Sequence, residues 1–324
     1  NALQYPVVAE GDLQDDTFSI QKLPQSAIAI LARAGTLDNT FIVLTDAAED
    51  VRVFATIVDL AGQSPGGANP IEITYVDNEQ LDLVTLGGDD KIFVQMPEPA
   101  HGVLANIIRM TTGAGEDSLK INGSTLSDVI RVNSYTNDGR YRFQVRGDTG
   151  ETECLQVFGF LGNDLIENSA PIAALLDGGN GQDAITGSDF SIHPVTGAEI
   201  YDVIFGGGDA DSIFDPVTGR AGLSGRAGND FLYADHDYNL GAPVLTIADG
   251  DIVNGGLGMD VIIALGGDSI QRDSGDFQSD VVVGQGLGLS VNDFLFAQLV
   301  SPSAANINQQ LQAGLAKHCA MLIP

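Results

Sequence analysis

The chain has 324 residues, 44% of them hydrophobic and 40 of them glycine, so it carries enough apolar material for a folded core, and its glycines follow no triplet period that would indicate collagen. Fourteen Lys and Arg stand against 44 Asp and Glu, a formal net charge of −30. A surface of that sign repels phosphate backbones and anionic lipid, which argues against nucleic-acid binding, and its self-repulsion calls for bound cations.

The length allows one to three ordinary domains, and no apolar run reaches the length of a transmembrane helix. The start at Asn1, without Met or a signal peptide, reads as a processed product or a part of a longer protein. Residues 1–78 are rich in strand signals, with strands expected at 41–44, 51–58 and 71–76 and a Pro- and Gly-bearing loop at 63–70. Within this region Leu37-Asp38-Asn39-Thr40-Phe41 echoes a repeat that is clearer later, with Asn39 in the place of an aspartate. The region reads as a degenerate start of that repeat, the preferred reading, or as a separate β-domain capping it.

Over 79–160 the repeat becomes recognisable in Gly87-Gly88-Asp89-Asp90-Lys91-Ile92 and Gly113-Ala114-Gly115-Glu116-Asp117-Ser118-Leu119, interleaved with strand runs such as 141–145. Cys154 lies in a strand-like run, where a buried thiol is the favoured reading, and a bridge to Cys319 stays open. The region 161–290 carries the dense copies: Gly178-Gly179-Asn180-Gly181-Gln182-Asp183-Ala184-Ile185, Gly206-Gly207-Gly208-Asp209-Ala210-Asp211-Ser212-Ile213 and Gly255-Gly256-Leu257-Gly258-Met259-Asp260-Val261-Ile262. Asp164, Asp183 and Asp202 lie 19 apart, as do Asp211 and Asp230, while Asp202 to Asp211 and Asp251 to Asp260 are nine apart. A half-turn of nine residues and a full turn of 18, with an occasional insertion, produce this pattern; a helix does not. Segments 188–201 and 234–248 interrupt it and should bulge from one face. Residues 291–324 lose the glycine pattern, and 304–316 are expected to form a short helix capping the array, or the tail serves as a secretion segment.

Two residues beyond each aspartate stands an aliphatic side chain: Ile92, Leu119, Ile130, Ile166, Ile185, Ile204, Ile213, Leu232, Val253, Ile262, Ile270 and Val282. They are expected to file into a narrow core between two parallel sheets. Each buried residue is worth only about 1.5–3 kcal/mol, against about 1–2 kcal/mol of backbone entropy per residue fixed. Metal binding should therefore count as folding energy. Turn glycines gather carbonyls and the aspartate adds a hard anionic oxygen, a donor set that suits calcium; His and Cys are too scarce for zinc.

These copies fit G-G-x-G-x-D-x-U-x, with U aliphatic, the copy at 206–213 lacking only the second turn glycine, and the chain resembles the RTX, or haemolysin-type calcium-binding, repeat family of secreted bacterial proteins over residues 80–285, most closely over 162–285. The resemblance implies an all-β fold, a parallel β-roll or β-solenoid, several calcium ions and an extracellular or cell-surface setting reached by type I secretion. It places calcium ligands at Asp90, Asp117, Asp164, Asp183, Asp202, Asp209, Asp211, Asp230, Asp251, Asp260, Asp268 and Asp280. It adds turn residues at Gly178, Asn180, Gly206, Gly208, Gly225, Ala227, Gly255 and Leu257. Departures occur at Leu86 and Thr112, which replace turn glycines, and at Glu153-Cys154.

Catalytic signatures are wanting. Gly222-Leu223-Ser224-Gly225-Arg226 only approximates a nucleophile elbow, and His101, His193, His236 and His318 build no HExxH pair. Arg146-Gly147-Asp148 and the sequon Asn122-Gly123-Ser124 are short matches that chance explains in this composition. The expected function is a non-catalytic, calcium-dependent structural protein of a surface layer, adhesin or filament, forming a homo-oligomer, a polymer or part of a larger surface protein. The alternative is an accessory module of a secreted enzyme or toxin. A carbohydrate-binding face is a third reading that no single residue marks.

Overall fold

A computed structural model describes residues 7–10, 17–21, 28–31, 39–43, 50–53, 57–61, 71–76, 80–98, 107–115, 117–134, 143–146, 152–190, 200–216, 221–236, 251–265, 269–271 and 281–285. Every regular element among them is a β-strand. The chain divides into two compact units, one of residues 1–124 and 131–155, the other of 125–130 and 156–324.

The strands of the first part are β1 (Val7–Glu10), β2 (Thr17–Gln21), β3 (Ile28–Leu31), β4 (Asn39–Val43), β5 (Asp50–Val53), β6 (Ile57–Ala61) and β7 (Ile71–Val76). They continue with β8 (Gln80–Val84), β9 (Lys91–Gln95), β10 (Ile107–Thr111), β11 (Asp117–Asn122), β12 (Val129–Ser134) and β13 (Phe143–Arg146). One sheet runs β1-β3-β7-β6-β5-β9-β11 and the other β2-β4-β8-β10-β13-β12. Pairing is parallel except where β6 folds back antiparallel on β5 and β7. The run expected as one strand over 51–58 is thus two strands, β5 and β6. Periodicity alone does not reveal the reversal, because both strands bear the same β-branched signal.

The second part holds β14 (Thr152–Phe158), β15 (Leu165–Ser169), β16 (Ala174–Asn180), β17 (Ala184–Thr186), β18 (Asp202–Gly208) and β19 (Ser212–Pro216). It ends with β20 (Ala221–Ala227), β21 (Phe231–His236), β22 (Ile252–Asn254), β23 (Val261–Leu265), β24 (Ser269–Gln271) and β25 (Val281–Gln285). One sheet carries β16-β18-β20-β22-β24 and the other β15-β17-β19-β21-β23-β25, so consecutive strands alternate between sheets. Every pairing here is parallel.

The register shows why the aliphatic residue sits two after the aspartate. Strand side chains alternate faces, so that offset keeps both on the inner side. Ile166, Ile185, Ile213, Leu232 and Ile262 are successive register partners in one sheet. Leu176, Ile204, Leu223 and Val253 are partners in the other. All nine are buried, none more than 1% exposed, forming two facing files. Ile92 and Leu119 pair in the same way between β9 and β11. The expected cap over 304–316, the loop at 63–70 and Cys319 lie outside the described residues. Cys154 is buried, as expected, but as half of a disulfide and not as a thiol.

Candidate metal centre

A six-residue segment turns the chain from a strand of one sheet to the next strand of the other, and its first three residues still belong to β16, β18 and β20 where those strands precede it. In the second unit such turns occupy 159–164, 178–183, 206–211, 225–230 and 255–260. Positions 2 and 4 take left-handed backbone. Glycine fills position 2 at Gly179 (φ 99°), Gly207 (121°) and Gly256 (96°), and position 4 at Gly181 (129°) and Gly258 (144°). Asp209 (φ 74°) holds position 4 of its turn, which accounts for the glycine missing from that copy. Its side chain is exposed, outside the buried ladder, yet its charge adds to the rise at Asp183 and Asp211.

The aspartate at position 6 turns inward. Asp164, Asp183, Asp211, Asp230 and Asp260 are at most 3% exposed, and they form one continuous ladder. The Asp128 N–H donates to Asp164 Oδ1 at 2.7 Å. Asp164 N–H then donates to Asp183 Oδ1 (2.8 Å), and Asp183 N–H to Asp211 Oδ1 (2.9 Å). Asp211 N–H follows to Asp230 Oδ1 and Asp230 N–H to Asp260 Oδ1, both at 2.9 Å. The carbonyls run in register: those of Asp164, Asp183, Asp211 and Asp230 accept the N–H of Ala184, Ser212, Phe231 and Val261, each at 2.8 Å. In the first unit Asp90 N–H donates to Asp117 Oδ1 at 2.9 Å.

One carboxylate oxygen is therefore committed to the backbone. The other is not: Oδ2 of Asp164, Asp183, Asp211 and Asp230 is buried and accepts no hydrogen bond. Its surroundings follow from position 1. A Cβ on Gly159 would collide with Asp164 Oδ2 and the Gly178 carbonyl, and one on Gly178 with Asp183 Oδ2 and the Gly206 carbonyl. A Cβ on Gly225 would meet Asp230 Oδ2 and the Gly255 carbonyl. A bare carboxylate oxygen and a carbonyl of the following turn thus converge on space that only glycine leaves open.

The electrostatics agree with crowded anions. Burial pushes Asp164 and Asp230 up to about 6 and Asp211 up to about 7, with the Asp183 and Asp230 carboxylates adding to the rise at Asp211. Asp183 is raised by burial, in part offset by the N–H of Asp164. An uncompensated buried oxygen of this kind costs about 1–3 kcal/mol, more when charged.

Other expected ligands fall elsewhere. Asp202 opens β18 at the opposite edge, where Oδ1 accepts from Ala174 N–H (3.0 Å) and Oδ2 from Ser188 N–H (2.6 Å). Both oxygens are engaged, and burial still pushes Asp202 up to about 7. Asp251 shares that edge, its Oδ1 taking the Ala221 N–H at 2.9 Å. The 19-residue step from Asp183 to Asp202 therefore joins opposite edges; the true successor of Asp183 is Asp211, 28 residues on. The carbonyls of Asn180, Gly208 and Leu257 accept N–H groups of Gly162 (3.0 Å), Gly181 (3.2 Å) and Gly228 (2.9 Å), each keeping a second lone pair. Asp268 and Asp280 lie outside the described residues. Sequence reasoning missed Asp128 as a ladder member and Gly159 as a turn residue of the site, although Asp128-Val129-Ile130 has the aspartate-to-aliphatic spacing.

Among the described residues no three His, Cys, Asp or Glu side chains converge as a metal cluster, so any cation held here would need carbonyl oxygens as much as carboxylates. No helix among them is long and apolar enough to cross a membrane. No protein-family model matches the chain, and no curated protein does.

Proposed function

We propose that this chain is a non-catalytic, calcium-binding structural protein or module of the RTX type, a parallel β-roll whose turn edge is neutralised and held by calcium. One observation carries the reading. The bare, buried Oδ2 atoms of Asp164, Asp183 and Asp230 each converge with a carbonyl from the next turn, Gly178, Gly206 and Gly255 in order, around a glycine that has no Cβ to fill the space.

The donor set is all oxygen, and calcium accepts six to eight oxygens at about 2.3–2.6 Å in flexible geometry, where magnesium demands a tight octahedron. When bound, calcium would supply positive charge against repelling carboxylates and tie adjacent turns together. The chain's own part is to hold each Oδ1 on the preceding turn's N–H, so that Oδ2 has one direction left. An extracellular setting, where free calcium is abundant, and assembly into a larger surface structure follow from the same reading.

Calorimetric calcium titration of chelator-treated protein, followed by circular dichroism, tests it. Several calcium ions should bind with a gain of β-sheet signal and a rise in melting temperature, and magnesium at equal concentration should give neither. A metal-free chain with full sheet signal and an unchanged melt on adding calcium refutes it.

A further inference from the structure

The second unit carries a groove of about 490 Å³ that the carboxylate ladder does not use. Its floor is glycine-rich main chain from two consecutive turns, Gly179-Asn180 and Gly207-Gly208. Phe158 and Phe160 line it as well, together with Arg226 and its ion-pair partner Asp177. We infer that this groove binds a neutral pyranose unit of a glycan, its apolar ring face stacked on Phe160 and its vicinal hydroxyls met by the Asp177–Arg226 pair.

Two of these lining residues are placed at a conformational cost. Position 2 of these turns is left-handed, and glycine occupies it in the two turns that make the floor. In the flanking turns the same backbone carries full side chains, Phe160 at φ 73° and Arg226 at φ 70°. Non-glycine residues hold that conformation only where surrounding structure imposes it, and such strain gathers at binding sites. Both strained residues line the same groove as the glycines of the two turns between them.

The lining residues present what a sugar ring requires. Phe160 is 45% exposed and stacks with Phe158, centroids 6.2 Å apart and planes 26° apart, which holds an aromatic ring at the groove with apolar surface still open. The Arg226 guanidinium lies 4.0 Å over the Phe205 ring and pairs with Asp177 Oδ2 at 3.0 Å, which fixes its plane. Both contacts with Asp177 run through Nη1, and the side chain is still 43% exposed. A fixed donor beside a fixed acceptor matches adjacent hydroxyls, each of which both donates and accepts. Charge narrows the ligand. The net charge of −30 opposes an anionic sugar, and Asp177 already neutralises the local cation; a cationic ligand would meet Arg226.

The test uses the full chain with calcium, titrated with neutral trisaccharides of glucose, galactose and mannose and with a uronate trisaccharide, read by saturation-transfer NMR and calorimetry. At least one neutral trisaccharide should bind, with its ring-face protons receiving most of the transfer. Phe160→Gly should weaken it at least tenfold while melting no lower than the parent, because glycine suits the left-handed backbone. Phe160→Tyr should retain it, and Arg226→Lys should weaken it by losing the planar fork. Binding by none of the neutral sugars, tighter binding of the uronate, or unchanged binding by Phe160→Gly overturns the inference. Since the groove does not use the ladder oxygens, a folded chain that fails to take calcium still scores this test separately.

Discussion

Replacing Asp230 with asparagine separates a structural carboxylate from one poised for a cation. In the metal-free chain burial, with a contribution from Asp260, carries Asp230 from 3.8 up to about 6. At about 1.4 kcal/mol per tenfold change in acidity, the ionised form costs the native state on the order of 3 kcal/mol at neutral pH. A raised native pKa means that the folded chain binds more protons than the unfolded one between about pH 4 and 6. Metal-free stability therefore falls as pH rises through that window and stays low above it. The asparagine Oδ1 keeps the Asp211 N–H at 2.9 Å, and the new amide faces the Gly255 carbonyl that converges on Asp230 Oδ2, a hydrogen bond worth about 1 kcal/mol. In chelator at pH 7.5, Asp230→Asn should thus melt higher than the parent, by about 6–12 °C if the full 3 kcal/mol is recovered in a cooperative unit of this size. At pH 4 the gain should vanish. With calcium the order should reverse, since a carboxylate ligand has been lost, and calcium affinity should drop at least tenfold. Differential scanning calorimetry at both pH values, with chelator and with calcium, reads all four corners. A variant less stable than the parent in chelator at pH 7.5 refutes the reasoning, because Asp230 would then be an anchor whose charge the fold needs.

Further outcomes follow from the same geometry. Gly178→Ala places a methyl between Asp183 Oδ2 and the Gly206 carbonyl at a residue without left-handed backbone; calcium affinity in calorimetry should fall at least tenfold. Gly179→Ala, at φ 99° and against the Phe160 carbonyl, should instead lower the melt with and without calcium, by about 1–3 kcal/mol. Ile213→Ala removes a fully buried side chain stacked between Ile185 and Leu232 and should cost about 2–5 kcal/mol in urea unfolding. In chelator, acidification from pH 8 to 5 should stabilise the chain, as Asp164, Asp202, Asp211 and Asp230 all have raised values; a melt that falls on acidification contradicts this.

The core was legible because it rests on a local rule. Aspartate and aliphatic residue stand two apart, strands alternate faces every residue, and so Ile166, Ile185, Ile213, Leu232 and Ile262 had to share a side. The candidate ligands were legible in part. Turn glycines and position-6 aspartates read directly from the pattern, but Asp128, whose spacing puts Ile130 in the core, lacks the glycine run that marks a ligand turn.

By itself, then, the sequence determined an all-β chain with an aliphatic core and glycine turns beside aspartates, since each depends on residues within one turn or strand. The tertiary structure alone decided which aspartates share an edge. Spacing along the chain counts inserted loop residues as if they were repeat, and long surface insertions cost little closure entropy, so Asp202 falls 19 residues from Asp183 yet on the far edge. Only the fold also shows that Oδ1 is tied to the neighbouring turn while Oδ2 is left facing a carbonyl, and that Phe160 and Arg226, 66 positions apart in the chain, line one groove. Parallel pairing stacks turns from distant segments a strand's width apart, and no local pattern carries that proximity.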